Sequence, residues 1–264
     1  MIIEKCIDYF TNFSDFKDLK LARVVIGLRF SFVELSDGSF GIAGTTDLKA
    51  VESLNQKYYG KFSPGNICGQ SVYDLLTTRD NFSVLNSLKF ACINALNYRY
   101  TDFSKYKIRY DEDPIELLSF KNKQVALIGA FRSYIEFFDI NAVNFKLIEL
   151  DYEAIPEKFR SYFVDVSKTA ETIENSDIVI ITGLSLVNDT FPLIQKYLNN
   201  SKISVITGPS ANIPPDILFQ NGINIIGGTE FTNKEKVLKL VCEAASGYHF
   251  FKSCARKITI EKGV

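Results

Sequence analysis

Apolar and polar positions alternate along one stretch near the N-terminus. From residue 22 to residue 32 every even position is apolar, whereas most odd positions are polar or glycine. This period of two predicts a half-buried β-strand. Asp37-Gly38 then suits a tight hairpin turn, so residues 40–46 are predicted to form the returning strand. Residues 83–98 repeat apolar side chains at helical spacing, and the first half is therefore predicted to be a hairpin backed by helices.

The second half has a different pattern, in which short continuous apolar runs alternate with helical stretches. Such runs are typical of parallel strands that are buried on both faces of a sheet. We therefore predict an α/β protein in which an α+β domain, residues 1–112, precedes a parallel α/β domain, residues 113–264. The boundary falls in the acidic, proline-terminated stretch 111–114. The five runs are residues 125–128, 145–150, 177–182, 203–207 and 223–226.

Four of these five runs end in glycine, which indicates a ligand-binding edge. The carboxyl ends of parallel strands gather at one edge of a sheet, and open sheets bind ligands there. Glycine lets backbone amides approach a ligand, and a helix that begins just afterwards presents positive dipole character. The alternative role of each glycine is only to make room for a turn. The alternative role of Asn188 and Thr190 is helix capping. The predicted ligand contacts are Gly129, Arg132, Thr182, Gly183, Asn188, Thr190, Gly208, Pro209, Ser210, Gly227 and Gly228.

Three residues of the first half are candidates for the same ligand. Thr45 and Thr46 end the returning strand, where we expect them to line a cleft between the domains. Ordinary strand propensity is their alternative role. Arg29 is predicted to lie on the polar face of the strand, and its planar guanidinium suits a carboxylate or phosphate. A cross-strand ion pair, with Glu34 or another acid, is the alternative for Arg29.

An acidic residue in the second half lies at a position where dinucleotide-binding proteins carry an acid. Glu149 lies twenty residues after Gly129, where a ribose-binding carboxylate would lie, and Asp151 is close by. Helix capping or plain exposure is the alternative for both acids. The loop after the first run has one glycine where the pyrophosphate fingerprint needs three, so the sequence disfavours a nicotinamide-dependent dehydrogenase.

The overall composition narrows the range of partners. Hydrophobic residues make up 46% of the chain, charged residues 23%, and the net charge is −1, which is typical of a globular protein and lacks the basic excess of nucleic-acid-binding domains. The sequence shows neither a signal peptide nor a run of about 18 apolar residues. We expect a soluble cytoplasmic protein with reduced thiols and no nucleic-acid or membrane partner. A homodimer is compatible with this size.

Soft metal ligands are scarce in this sequence. There is one histidine, His249, and the five cysteines include no Cys-x-x-Cys pair, so the spacing excludes a zinc ribbon. His249 lies in an aromatic stretch without an evident partner, and packing or exposure is its expected role. A metal site would therefore need oxygen ligands, or the metal would arrive already bound by a chelator.

Several segments resemble a known pair of domains. Residues 181–190, ITGLSLVNDT, are similar to the TG-x-x-hydrophobic-x-N-x-T segment of the DUF364 family, a heavy-metal chelation domain. The segment Gly208-Pro209-Ser210 and the Gly227-Gly228 pair resemble that family's next block. Residues 25–27, 41–46 and 91–96 resemble the DUF4213 domain that commonly precedes it. The resemblance implies an enolase N-terminal-like α+β domain followed by a Rossmann-like domain, with the site in the cleft between them.

The resemblance also implies a role in handling heavy metals or metal chelates. The leading hypothesis is therefore a two-domain protein that binds a small polar ligand between its domains, with a heavy-metal ion or a metal chelate as the group it would carry. One alternative is a transferase-type or lyase-type enzyme for a small phosphorylated or carboxylated metabolite, assisted by Arg29, Glu149 or Asp151. A noncatalytic interaction module is the second alternative.

Overall fold

The first half of the chain forms a small antiparallel sheet backed by helices. A computed structural model describes residues 1–46, 60–79, 83–198 and 202–263. The three-stranded sheet has the order β1-β2-β3, and its second hairpin turns at Gly38, where φ is +87°. Its elements are α1 (Ile2–Phe10), β1 (Leu21–Ile26), β2 (Phe30–Leu35), β3 (Phe40–Gly44), α2 (Val72–Thr77) and α3 (Ser83–Tyr100).

The predicted strand over residues 22–32 is in fact two strands, β1 and β2. The chain reverses at Gly27, whose N–H donates to the carbonyl oxygen of Phe30 at 3.1 Å. A Cβ atom at Gly27 would lie 2.6 Å from that oxygen and 2.8 Å from the carbonyl oxygen of Val241. Alternation continues through this turn, so the pattern alone does not reveal it. The predicted returning strand and the helix over residues 83–98 are confirmed as β3 and α3.

The second half forms an eight-stranded sheet. The strand order is β4-β11-β10-β9-β8-β5-β6-β7; β11 is antiparallel to both neighbours, and all other pairs are parallel. From β5 the chain builds outward through β6 and β7, then returns to add β8, β9 and β10 on the other side. The strands are β4 (Tyr106–Tyr110), β5 (Gln124–Ile128), β6 (Asn144–Ile148), β7 (Phe163–Val164), β8 (Ile178–Thr182), β9 (Ile203–Thr207), β10 (Ile225–Phe231) and β11 (Ala255–Lys262).

Helices cover both faces of this sheet, and the mixed α/β class with a parallel-rich sheet is confirmed. Two details differ from the prediction. Gly227 and Gly228 lie inside β10 instead of after it, because β10 continues to pair with β11 as far as Phe231. β4 precedes residue 112 but pairs with β11 in the large sheet. The helices are α4 (Arg132–Ile140), α5 (Thr169–Glu174), α6 (Leu184–Val187), α7 (Phe191–Gln195), α8 (Pro215–Gln220), α9 (Lys234–Cys242) and α10 (Gly247–Phe251).

The two halves share a hydrophobic core. Alternate residues of the parallel strands, such as Ile181 and Ile206, belong to the same buried cluster as Phe10 and Leu88 of the first half. The opposite face of the large sheet packs on α4 through a separate cluster that includes Phe138. Among the described residues, none of the helices combines the length and apolar character needed to cross a bilayer.

Candidate functional site

Several predicted site residues lie in the contact between the two halves, which we call the seam: β3 and α3 against the loops after β8 and β9. The Gly44 N–H donates to the buried Ser210 hydroxyl at 2.8 Å. From α3, the Asn94 side-chain nitrogen donates to the carbonyl oxygens of Ile42 at 2.5 Å and Pro209 at 2.9 Å. Pro209 and Ser210 therefore bind the first half of the chain.

A second set of polar contacts extends the seam to β10. The Asn212 side chain donates to the Thr229 carbonyl at 2.7 Å and accepts from the Thr229 N–H at 3.0 Å. The hydroxyl of Tyr98, on α3, donates to the same carbonyl, and burial raises the pKa of Tyr98. A Cβ atom at Gly228 would lie 2.8 Å from Asn212 Oδ1. Gly228 is thus a packing position beneath the Asn212 side chain.

Two more of the predicted glycines are also explained by packing. A Cβ atom at Gly183 would lie 2.6 Å from the backbone nitrogen of Ala211, so this glycine lets the loops after β8 and β9 touch. At Gly227 a Cβ atom would lie 2.4 Å from Thr207 Oγ1 and 2.7 Å from Pro114. Close packing, not backbone freedom, requires glycine at both positions.

Not all three candidate residues of the first half, Thr45, Thr46 and Arg29, lie at the seam. Thr45 directs its hydroxyl to the Gly27 carbonyl at 2.8 Å. Thr46 is buried, and its N–H donates to Ser87 at 3.1 Å. The predicted position of Arg29 on a strand is wrong: it is exposed in the turn between β1 and β2, because the chain reverses at Gly27.

The alternative ion pair between Arg29 and Glu34 is also not formed. Glu34 pairs instead with Arg23 at 3.5 Å and with Lys234 at 2.5 Å. The second of these pairs joins β2 to α9. Glu34 therefore stabilises the contact between the halves, and Arg29 has no ion-pair partner among the described residues.

The remaining predicted contacts at the strand ends, together with Phe131, form what we call the edge site: Gly129, Phe131, Thr182 and Gly208. It is open beside Gly208, whereas a Cβ atom at Gly129 would lie 2.8 Å from the Thr182 Cβ atom. Gly129 has φ +108°, and Gly208 has φ +113° with ψ 167°, a conformation that is almost restricted to glycine. The Phe131 ring lies between them, 3.5 Å from the position of a Cβ atom at Gly129 and 4.0 Å from that at Gly208. Among the described residues other than Gly208 and its two chain neighbours, no further heavy atom lies within 4 Å of the latter position.

The start of α4 completes the edge site. Within the described chain, the N–H groups of Arg132 and Ser133 have no acceptor, as expected for the first turn of a helix. The Arg132 side chain is exposed and pairs with Glu136 at 2.9 Å. The edge site thus offers backbone donors and an aromatic ring.

The carboxylates of the two acidic candidates, Glu149 and Asp151, accept hydrogen bonds from nearby backbone N–H groups. Glu149 Oε2 accepts from the Ala130 N–H at 2.7 Å, and Oε1 accepts from the Asp151 N–H at 3.1 Å. Asp151 in turn accepts from the Glu153 N–H at 3.2 Å and caps a short 3-10 helix. Glu149 therefore lies beside the edge site and holds its first loop, whereas Asp151 has the predicted alternative role.

Asn188 and Thr190 also have mainly local partners. Asn188 Oδ1 accepts from the Thr190 N–H at 3.2 Å and from the Thr190 hydroxyl at 2.8 Å. This Asx-type turn joins α6 to α7 around Asp189, whose φ is +59°. The hydrogen bonds of these two side chains are thus local, and the Thr190 side chain makes no capping hydrogen bond to α7.

One polar cluster near the edge site was not predicted from the sequence. The hydroxyl of the buried Tyr134 donates to Asp113, and the Lys257 ammonium donates to the same carboxylate at 2.8 Å. Burial and the neighbouring Asp113 charge raise the pKa of Tyr134. The Tyr134 ring packs on Phe131 with centroids 5.4 Å apart. Only the sheet topology brings Lys257 to Asp113, so no local pattern could have revealed this pair.

Comparison with known proteins decides the family. A model of the DUF364 family, described as "Putative heavy-metal chelation", matches residues 113–260, more than half of the chain. The chain belongs to the DUF364 family. A DUF4213 model with the same description matches residues 11–97. The resemblance seen in the sequence is therefore confirmed for both halves.

Relatives of this DUF364 protein match over nearly their whole length. An uncharacterized protein of Methanocaldococcus jannaschii is 23% identical over 99% of this chain and 98% of its own. A DUF364 protein of unknown function from Pyrococcus horikoshii is 20% identical, with a TM-score of 0.79 over 99% of this chain and 100% of that one. A family member from Desulfitobacterium hafniense is 18% identical, with a TM-score of 0.67 over 98% of both chains. These likenesses establish the shared fold.

The donor groups of this DUF364 protein do not fit a heavy-metal ion. Within residues 1–46, 60–79, 83–198 and 202–263, no group of three or more His, Cys, Asp or Glu side chains is placed to hold a metal. Three cysteines are buried and two are exposed. Thiolates and imidazoles are the ligands that such ions prefer, and they must converge to bind.

A cavity elsewhere on the DUF364 domain does not coincide with the predicted site. It has a volume of about 710 Å³ and lies at the amino edge of the large sheet, opposite the edge site. Gln124 and Asn144, which begin β5 and β6, line it together with Lys121, Phe137 and Asp177. None of the predicted contacts lies there.

Proposed function

We propose that this DUF364 protein binds a small polar organic molecule at the edge site, beside the junction of its two halves. The observation that carries this proposal is the pair Gly129 and Gly208. Their backbone conformations favour glycine, and the position of a Cβ atom at Gly208 is nearly empty. Because the glycine at residue 208 is not explained by packing, close approach of a ligand to its backbone is the function it supports best.

The sheet topology supports this location. The order β7-β6-β5-β8-β9-β10 equals the 3-2-1-4-5-6 order of doubly wound nucleotide-binding sheets. Ligands of such sheets bind where the strand order reverses, which here is between β5 and β8. We therefore propose a Rossmann-like second domain, residues 113–264, after an enolase N-terminal-like domain, residues 1–112. The latter assignment rests on the sequence resemblance.

The side chains at the edge site argue against a dinucleotide. The phosphate-binding fingerprint needs a second glycine two residues after the first, so that backbone can approach the pyrophosphate. Phe131 occupies that position, and its ring lies over the edge. The Glu149 carboxylate already accepts the Ala130 N–H. A smaller molecule with a planar or apolar face and a carboxylate or hydroxyl group suits the Phe131 ring and the backbone N–H groups better.

An unsatisfied atom of the seam supports a polar occupant close by. Among the described residues, Asn94 Oδ1 is the buried side-chain oxygen that lacks a hydrogen-bond partner. Leaving such an acceptor unpaired costs about 1–3 kcal/mol. The nitrogen of the same side chain binds the Pro209 carbonyl, next to Gly208. A buried water beside Asn94 Oδ1 would remove that cost.

The test begins with a thermal-shift panel of nucleotides, S-adenosylmethionine, phosphorylated metabolites and carboxylate chelators. Any compound that stabilises the protein is then titrated by calorimetry into wild type, Gly208→Ala and Gly38→Ala. Gly38 is the matched control because it also has a positive φ and open space, but lies in the β2–β3 hairpin. We expect about a tenfold or greater loss of affinity in Gly208→Ala only. Equal affinity in all three proteins would place the ligand elsewhere.

Catalysis on the bound ligand is the second candidate, because Tyr134 and Asp113 form a hydrogen-bonded acid–base pair that contacts Phe131. The Tyr134→Phe substitution removes only the hydroxyl. If the protein is an enzyme that uses this group, Tyr134→Phe retains ligand affinity but loses conversion of the ligand, measured by mass spectrometry. Absence of any product with the wild-type protein would favour simple binding.

A further inference from the structure

The soft donor groups of this chain are scattered, which conflicts with direct chelation of a heavy-metal ion. All five cysteines and the single histidine lie within the described residues. Soft and borderline metal ions are held by thiolates and imidazoles that converge on one point. Such convergence is not found among the described side chains. The family description of heavy-metal chelation therefore needs an explanation other than coordination of an ion by these side chains.

Three of the thiols belong to the hydrophobic core. Cys6 of α1 and Cys92 of α3 are fully buried in one apolar cluster, and Cys254 lies in the small cluster around Phe250. Burial raises the pKa of the Cys6 and Cys92 thiols. Because a metal binds the thiolate, burial of this kind opposes coordination. These cysteines serve as small apolar side chains.

The accessible donors belong to separate elements. Cys68 lies in the loop before α2, and Cys242 is the last residue of α9. In α10, His249 Nδ1 accepts the Ser246 N–H at 3.1 Å as part of a capping interaction. His249 thus has one ring nitrogen already engaged. These groups do not form a chelating set.

We infer that this protein takes a heavy metal only as a complex with an organic chelator, and that the chelator, not the protein, supplies the ligands. This inference rests on the proposed function, because the complex would occupy the edge site. Carboxylate groups of a chelator suit the N–H groups of Arg132 and Ser133, and its apolar face suits the Phe131 ring. The protein would then recognise the organic surface of the complex and leave the coordination sphere intact.

Calorimetric titration of the tag-free protein tests this inference. The probes are Ni²⁺ and Cd²⁺ as free ions, their citrate and nitrilotriacetate complexes, and each chelator alone. The proteins are wild type, Gly208→Ala, Gly38→Ala, and the triple variant Cys68→Ser/Cys242→Ser/His249→Gln, with bound metal counted by elemental analysis. We expect no stoichiometric binding of free ions to any protein, and 1:1 binding of a complex that Gly208→Ala weakens about tenfold or more. The triple variant should bind that complex as wild type does.

The outcomes separate the inference from the proposed function. Stoichiometric binding of a free ion, lost in the triple variant or accompanied by release of the chelator, would overturn the inference. Binding of organic compounds without any metal complex would also overturn it while leaving the proposed function intact. If no organic compound and no complex bind, the proposed function fails as well.

Discussion

Two parts of one loop, Gly208 and the segment Pro209–Ser210, have different surroundings. Gly208 has a glycine-type conformation and open space beside the Phe131 ring. The next two residues bind the first half of the chain, through the Asn94 side chain and the Gly44 N–H. Residues that share one motif can therefore bind another part of the chain at one position and leave the backbone open at the next. Hydrogen-bond partners and free space distinguish the two roles.

The largest effect is expected at Gly183, a seam glycine. In Gly183→Ala the new methyl group would lie 2.6 Å from the Ala211 backbone nitrogen, so the loops after β8 and β9 must separate. We expect the free energy of unfolding, measured by urea denaturation, to fall by about 3 kcal/mol. The control is Gly247→Ala, where a new Cβ atom would meet no described residue within 4 Å beyond its chain neighbours and its own helix backbone. Similar stability of the two variants would contradict close packing at the seam.

Ser210→Ala should have the next largest effect. The substitution leaves the buried Gly44 N–H without its acceptor, at an expected cost of about 2 kcal/mol in the same measurement. Ser253→Ala is the control because the Ser253 hydroxyl is exposed, and its stability should stay within about 0.5 kcal/mol of wild type. If Ser210→Ala were equally neutral, the hydroxyl would not hold the halves together.

At the edge site, Gly208→Ala should cost stability only through backbone strain. The expected loss is about 1–2 kcal/mol, and Gly38→Ala should lose a similar amount. The two variants should differ in ligand affinity, which only Gly208→Ala lowers. A much larger loss of stability in Gly208→Ala than in Gly38→Ala would show that this glycine, too, is a packing position.

Phe131→Leu should have the smallest effect on stability, about 1 kcal/mol or less, because an apolar side chain remains. Loss of the aromatic ring should weaken a ligand that stacks on it by about three- to tenfold, measured by calorimetry. Phe137→Leu is the matched control, since Phe137 is a partly exposed phenylalanine of α4, the helix that begins directly after Phe131. Equal affinities of the two variants would remove Phe131 from the ligand contact.

The fold was largely predictable because its signals are local. Continuous apolar runs identify strands that are buried on both faces, and these runs became β5, β6, β8, β9 and part of β10. The turn at Gly27 was missed because the alternation of apolar residues continues through it. β4 was assigned to the first domain because its pairing with β11 joins residues far apart in the sequence.

For the candidate site, the sequence predicted the region but not the individual contacts. The pattern identified glycines at strand ends, but Gly129 and Gly183 look alike in sequence although their backbones differ, with φ +108° at Gly129 and −58° at Gly183. Phe131 was not predicted as a contact because an aromatic residue after a strand is also ordinary core. The Tyr134–Asp113–Lys257 cluster depends on contacts between distant segments. Such contacts have no local signature, so they follow only from the folded topology.

A crystal structure with the compound that gives the largest thermal shift tests the central claim most directly. We expect electron density for that compound against the backbone of Gly129 and Gly208 and the ring of Phe131. Density in the cavity at the amino edge of the sheet, lined by Lys121 and Asn144, would contradict it. Metal held directly by protein side chains would contradict the inference that a metal binds only as a chelator complex.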